Sequence, residues 1–258
     1  MSDEGKIHRE VIGHTLKITV DRTAKMNAFS PDLMAELGEA LTELDDNPDL
    51  WAGVLCFAGK HTTAGLDMPL FFGPNAKTIP DKGNVDPFGM RRKCKKPVIC
   101  AVQGKCLTIG IEIMLASDIV IAASDAKFCQ MESKRGIAPF GGAHFRYVER
   151  AGWGNAMYHL MLCDEFTADR AKEVGFVQEV VEPGQQIDRA MEIAALINKN
   201  APLGIQAMKA SARTYMEDGE AAAIALIPGM RDAIFKTEDS KEGIMSFMER
   251  REANFKGK

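Results

Sequence analysis

No stretch of this chain approaches the roughly 18 consecutive apolar residues that a membrane helix needs. The first residues, Met1-Ser2-Asp3-Glu4-Gly5-Lys6, are polar, so a secretory signal is not expected. The last, Lys256-Gly257-Lys258, match no targeting address. The net charge of −4 offers no footprint for general nucleic-acid binding. Of six cysteines (56, 94, 100, 106, 129 and 163) none forms a C-x-x-C pair, and most sit in apolar, strand-like surroundings. They read as reduced, buried thiols of a cytoplasmic protein. The P-loop pattern, a G-x-G-x-x-G after a strand, and G-x-S-x-G are all missing. Five histidines show no metal-ligand spacing. A zinc site and a serine triad are therefore both disfavoured, and no metal is expected.

What is present is an ordinary globular composition, 46% hydrophobic and 26% charged, over 258 residues. Leu16 to Val20 alternates as a strand does. Ser30 followed by Pro31 reads as a helix cap, and Leu33, Met34, Leu37, Leu41 and Leu44 form one apolar helix face that Asn47-Pro48 ends. Gly53–Gly59 is a core strand. Between Phe71 and Asp86 the pattern dissolves into turn chemistry around Gly73-Pro74-Asn75 and Asp81-Lys82-Gly83-Asn84. Arg91 to Lys96 is a short basic run, either a solvated helix face or a phosphate contact. Residues 119–123, 127–130 and 177–181 are further strands. After Gln185 the chain is helical, with breaks expected at Ala201-Pro202, Asp218-Gly219 and Pro228-Gly229. Alternating strands and helices followed by helices alone predict an α/β core with a helical C-terminal region. The apolar residues of those last helices exceed what a thin layer can bury on its own core, which predicts self-association.

The stretch that organises the rest runs from Pro97 through Gly104 to Glu112 and Asp118. It reads as a buried strand, a tight loop and a short apolar helix. A loop delivered onto a helix start aims backbone N–H groups at whatever lies before it. Here Glu112 follows about one turn later. Donors for a negative oxygen beside a carboxylate are a means of stabilising an oxyanion and moving a proton. Asp118, between an apolar helix and an apolar strand, reads as structural.

Several segments resemble the crotonase superfamily of enoyl-CoA hydratases and isomerases, over roughly Val11 to Lys256. Arg22-Thr23-Ala24-Lys25-Met26-Asn27-Ala28-Phe29-Ser30 is similar to the family's CoA-contact loop, and Ala64-Gly65-Leu66-Asp67 to its first oxyanion loop. Lys96 to Gly104 resembles the strand that enters the second. Glu112 and Glu132 fall where hydratases keep two catalytic glutamates, and Phe247 to Lys256 resembles the family's C-terminal end. Two departures stand out. Thr108-Ile109-Gly110 replaces the usual three glycines, and Pro139-Phe140 replaces a proline-glycine pair. If the second donor turn needs positive φ, a β-branched Ile109 is costly there and the donor shifts by one residue. Phe140 would alter the acyl pocket.

The resemblance implies an α/β fold, a spiral of β-β-α turns over residues 1–195 carrying the acyl-CoA site, with a helical trimerisation region over 196–258. It implies that the backbone N–H groups of Leu66 and Ile109 hold the thioester oxygen and that Glu112 and Glu132 are the acid and base. Lys25, Met26, Ala28, Ala64, Leu66, Asp67, Met68, Ile109, Gly110 and Phe140 would contact the acyl-CoA, and Phe255 and Lys256 would serve a neighbour's CoA site. No cofactor is implied beyond the coenzyme A of the substrate, and the partner is a second copy in a trimer or a dimer of trimers. The expected reaction is hydration of a 2-enoyl-CoA. Alternatives are a double-bond isomerase or another acyl-CoA lyase or hydrolase, and a weakly active CoA-thioester- or RNA-binding member.

Overall fold

The computed structural model describes residues 4–74, 76–79 and 82–258; Met1–Asp3, Asn75, Pro80 and Asp81, which include parts of the N-terminal and turn readings above, lie outside the described residues. A main sheet runs in the order β1 (Lys6–Ile12), β2 (Thr15–Asp21), β3 (Ala52–Phe57), β4 (Val98–Val102), β6 (Ile119–Ala123), β9 (Glu179–Val181). A smaller sheet holds β5 (Lys105–Leu107), β7 (Lys127–Cys129) and β8 (Phe166–Thr167) in the order β5-β7-β8. From β2 onward the main-sheet pairs are parallel; β1 joins antiparallel, with Lys6 opposite Asp21. The chain leaves β4 for β5, and β6 for β7, so each of these turns contributes one strand to each sheet before a helix closes it.

Every residue of β3 and β4 is buried. Parallel strands covered on both faces give apolar runs instead of alternation. Leu55 and Phe57 of β3 face one core, shared with α1 (Pro31–Asp46), α3 (Ile109–Ala116) and α4 (Ala143–Leu162). Ala52, Val54 and Cys56 face the other, against Ala190 and Ala194 of α6 (Gln186–Ile197). The Ser30 cap is formed, its Oγ accepting from Leu33 N at 3.1 Å.

All six cysteines are free and buried. Burial pushes the Cys94 thiol up to about 11, and those of Cys56, Cys100, Cys106 and Cys129 also rise. Two short helices, α2 (Met68–Phe72) and α5 (Ala168–Glu173), link strands. Beyond the sheets come α7 (Pro202–Asp218), α8 (Glu220–Ile234) and α9 (Glu238–Glu249).

Two local expectations change, and one strand was not anticipated. β1 was not legible as a strand, because only Ile7 of its seven residues is buried. Pro228 does not break α8, which continues through it to Ile234; the helix has no buried residue, so its lost hydrogen bond falls where water can reach the backbone. The Arg91–Lys96 run is not a solvated helix face. It is an irregular segment whose cations meet carboxylates: Arg91 with Asp86, Arg92 with Asp45 and Asp46, Lys93 with Glu217, and Lys95 with Asp45. Asp118 accepts from Val98 N at 2.8 Å and pairs with Lys209, a structural use.

Candidate active site

Glu112 lies in the first turn of α3 and is 1% exposed. Its Oε1 accepts from Gly141 N at 2.8 Å and Ala143 N at 3.1 Å, in the bend that opens α4. A Cβ on Gly141 would stand 2.6 Å from Glu112 Oε2, so only glycine lets the bend come this close. Burial raises the Glu112 carboxyl above its ordinary range, while the two N–H donors and then the Arg146 and His144 charges pull it back.

Glu132 opens a short 3-10 helix, Glu132–Arg135, and is 8% exposed. Its Oε1 accepts from Gln130 Nε2 at 2.8 Å, and its Oε2 has no partner among the described residues. Burial first, and then the negative charge of Glu112, push the Glu132 carboxyl up to about 7, against its own backbone N–H and the Gln130 amide. The two carboxylates therefore lie within electrostatic reach of each other in unlike surroundings. One holds two backbone donors on one oxygen. The other keeps an oxygen free to carry a proton.

The two turns expected to supply N–H donors are also brought together. Leu66 forms a bridge with Phe29 in which Phe29 N donates to Gly65 O (2.9 Å) and Asp67 N to Phe29 O (2.8 Å). The N–H of Leu66 points away from that bridge and meets no described acceptor. Ile109 and Gly110 are the first two residues of α3, and their N–H groups likewise meet no described acceptor, as helix starts dictate. A second bridge, Thr63 with Cys106, locks one turn to the other. Across the seam, a Cβ on Gly65 would lie 2.5 Å from Thr108 Oγ1.

The positive φ anticipated for this second turn falls on Thr108, at φ 50° and ψ −112°, and not on Ile109. A β-branched residue there is strained by about 1–3 kcal/mol. Three hydrogen bonds hold it: Thr108 N to Cys129 O, and Ile111 N and Glu112 N to Thr108 O.

Lys25 and Met26 are exposed on the loop after β2, with Ala28 half-buried behind them. Ala64 N donates to Met26 O at 2.9 Å, so this loop abuts the first donor turn. Met68 is exposed at the start of α2. Asp67 pairs with Arg22 at 2.8 Å. The Phe140 ring is 76% exposed beside Gly141. Phe255 and Lys256 are placed against α9 of their own chain. The Phe255 ring packs over Gly243 of α9, and Lys256 N and Gly257 N donate to Asp239 at 2.7 and 2.8 Å.

Two residues not singled out from sequence build the loop. Asn27, 1% exposed at φ 53°, accepts from Arg22 N and donates to Ala58 O and His61 O, each at 2.8 Å. An asparagine after a left-handed Met26 was the available signal. Thr63 Oγ1 donates to Asn27 O at 2.8 Å and accepts from Gly65 N at 3.0 Å.

With this geometry in hand, comparison with known proteins identifies the scaffold. The enoyl-CoA hydratase/isomerase family model matches residues 12–258. The chain belongs to the enoyl-CoA hydratase/isomerase family. Enoyl-CoA hydratase EchA19 of Mycobacterium tuberculosis is 34% identical over 253 residues, covering 95% of this chain and 94% of that protein. A crotonyl-CoA hydratase of Syntrophomonas wolfei is 32% identical, with 92% of each covered. The crystal structure of a probable enoyl-CoA hydratase/isomerase from Mycobacterium abscessus superposes with a TM-score of 0.94 at 40% identity, over 98% of both chains. The two-sheet spiral with its helical C-terminal region is thus the crotonase fold, and the chain is an enzyme of the enoyl-CoA hydratase type.

Proposed function

We propose that this enzyme adds water across the double bond of a 2-enoyl-CoA to give a 3-hydroxyacyl-CoA. The observation that carries the reading is the pair of buried carboxylates in unlike surroundings beside two turns with unused backbone donors. The thioester oxygen would lie between the N–H groups of Leu66 and Ile109. As a nucleophile adds at C3, negative charge grows on that oxygen, and preorganised donors stabilise it; loss of one such donor costs about 3 kcal/mol in related chemistry.

Glu112, whose two backbone donors favour its ionised form, takes a proton from water as the water oxygen bonds to C3. Glu132, with a carboxyl pushed up to about 7, gives its proton to C2. Proton exchange with solvent resets both groups. The net change is one water split across the C2–C3 bond, with no change in oxidation state and no cofactor. The nucleotide end of coenzyme A would run along Lys25, Met26, Ala28 and Ala64. Lys25 would stand as the cation near the phosphates, and Phe255 and Lys256 would reach the site of a neighbouring subunit.

The test is hydration of crotonyl-CoA and of longer 2-enoyl-CoAs, followed by loss of the conjugated enone absorbance. Turnover at 1 s⁻¹ or above on any of them, of the order common for enzymes, is the expected result. Migration of the double bond without water uptake would replace hydration by isomerisation.

A further inference from the structure

The loop expected to carry the nucleotide and the turn expected to hold the thioester oxygen are joined by an ion pair between a buried arginine and a partly buried aspartate. Arg22 ends the approach from β2, with its side chain 4% exposed. Its guanidinium Nη1 reaches Asp67 Oδ2 at 2.8 Å and donates to Ala28 O at 2.8 Å. Asp67 directly follows Leu66, and Ala28 closes the Lys25–Ala28 segment. The backbone bridge through Phe29 clamps Leu66 from the other side, by Gly65 O and Asp67 N. The carbonyl that ends the nucleotide loop and the carboxylate that ends the donor turn therefore share one guanidinium nitrogen. Neither end can shift without moving the other or breaking a buried, charge-assisted contact.

We propose that Arg22 and Asp67 are positioning residues that transmit nucleotide binding to the oxyanion turn, so that contacts with the distal part of coenzyme A set the Leu66 N–H for the reacting carbonyl. Such use of remote binding energy appears in kcat and not only in KM. The inference rests on coenzyme A lying along Lys25–Ala28. It adds to that reading a coupling between the nucleotide loop and the donor turn.

The experiment compares crotonyl-CoA with crotonyl-pantetheine, which keeps the thioester arm and lacks the nucleotide, in wild type and Asp67→Asn. In wild type the nucleotide is expected to raise kcat by about tenfold or more. In Asp67→Asn that advantage is expected to shrink to about twofold, because kcat falls about fivefold more on crotonyl-CoA than on crotonyl-pantetheine. A loss of kcat by the same factor on both esters would overturn the coupling and leave Asp67 a purely structural role. Unchanged kcat on both would overturn it as well. If Asp67→Asn fails to fold, Asp67→Glu, which keeps the charge and moves the carboxylate by one methylene, takes its place in the same comparison. The enolate absorbance of bound acetoacetyl-CoA against acetoacetyl-pantetheine reads the same coupling with no turnover. A wild-type protein that hydrates neither crotonyl ester would therefore remove the hydratase reading while the coupling is still decided.

Discussion

At the scale of the residue, the proposed chemistry rests on two carboxylates in unlike surroundings. Glu112→Gln and Glu132→Gln should each lower kcat on a 2-enoyl-CoA by about 10²-fold or more, with KM within a few-fold of wild type. Steady-state kinetics on purified variants checks this, and equal losses in binding would mark a structural role. The pH profile follows from the same pair. Glu132 must carry a proton to donate it, and burial holds its carboxyl up to about 7. As pH rises through that value the acid is lost, so kcat/KM should fall on the alkaline side of about 7. On the acidic side it should fall when Glu112, raised less firmly because two N–H groups favour its charge, takes up a proton and ceases to act as base. A rate that keeps climbing to pH 9 would contradict the assignment of Glu132 as acid.

At the scale of the element, the bend before α4 is as much part of the site as the helix that carries Glu112. Gly141→Ala would drive a methyl to 2.6 Å from both Glu112 Oε2 and the Phe88 ring. The expected outcome is a kcat lower by about 10- to 100-fold, with overpacking of about 1–3 kcal/mol seen as a lower melting temperature. Kinetics and a thermal melt on one sample test both. This scale also shows what the sequence made legible. The strand β2 alternates with period two, β3, β4 and β6 are apolar runs, and Ser30-Pro31 is a local cap, so each is determined by residues next to one another. Glu112 and Glu132 could be found because their order relative to the donor turns is itself a pattern. The role of Gly141 depends on a residue 29 positions away, and that of Asn27 on carbonyls 31 and 34 positions away. Neither appears in local periodicity. The strands β5 and β8 are three residues or fewer and cannot show a period at all. Pro228 misled because proline was weighed without its exposed setting.

At the scale of the whole molecule, the helices beyond the sheets leave much apolar surface uncovered. Met208, Tyr215 and Met216 on α7, Ile224, Leu226 and Ile227 on α8, and Ile244, Met245, Phe247 and Met248 on α9 are all exposed. Patches of this kind mark association surfaces, and closed symmetry is the usual way to cover them. The expected state is a trimer or a dimer of trimers, with a mass three or six times that of the 28.2 kDa chain. Light scattering across a hundredfold range of concentration measures it, and a constant mass near one chain would refute it.

The six sealed thiols give the protein a built-in clock for its own opening. No disulfide holds them, all six are buried, and burial raises the thiols of Cys56, Cys94, Cys100, Cys106 and Cys129, so they are mute toward alkylating reagents while the fold is shut. Labelling therefore proceeds only through fluctuations that let reagent in. Cys56 and Cys100 sit on the main sheet, and Cys106 and Cys129 on the small one beside the donor turn. The order in which they become modified would rank the breathing of the two sheets, and would show whether the wall behind Glu112 and Glu132 loosens before the scaffold does.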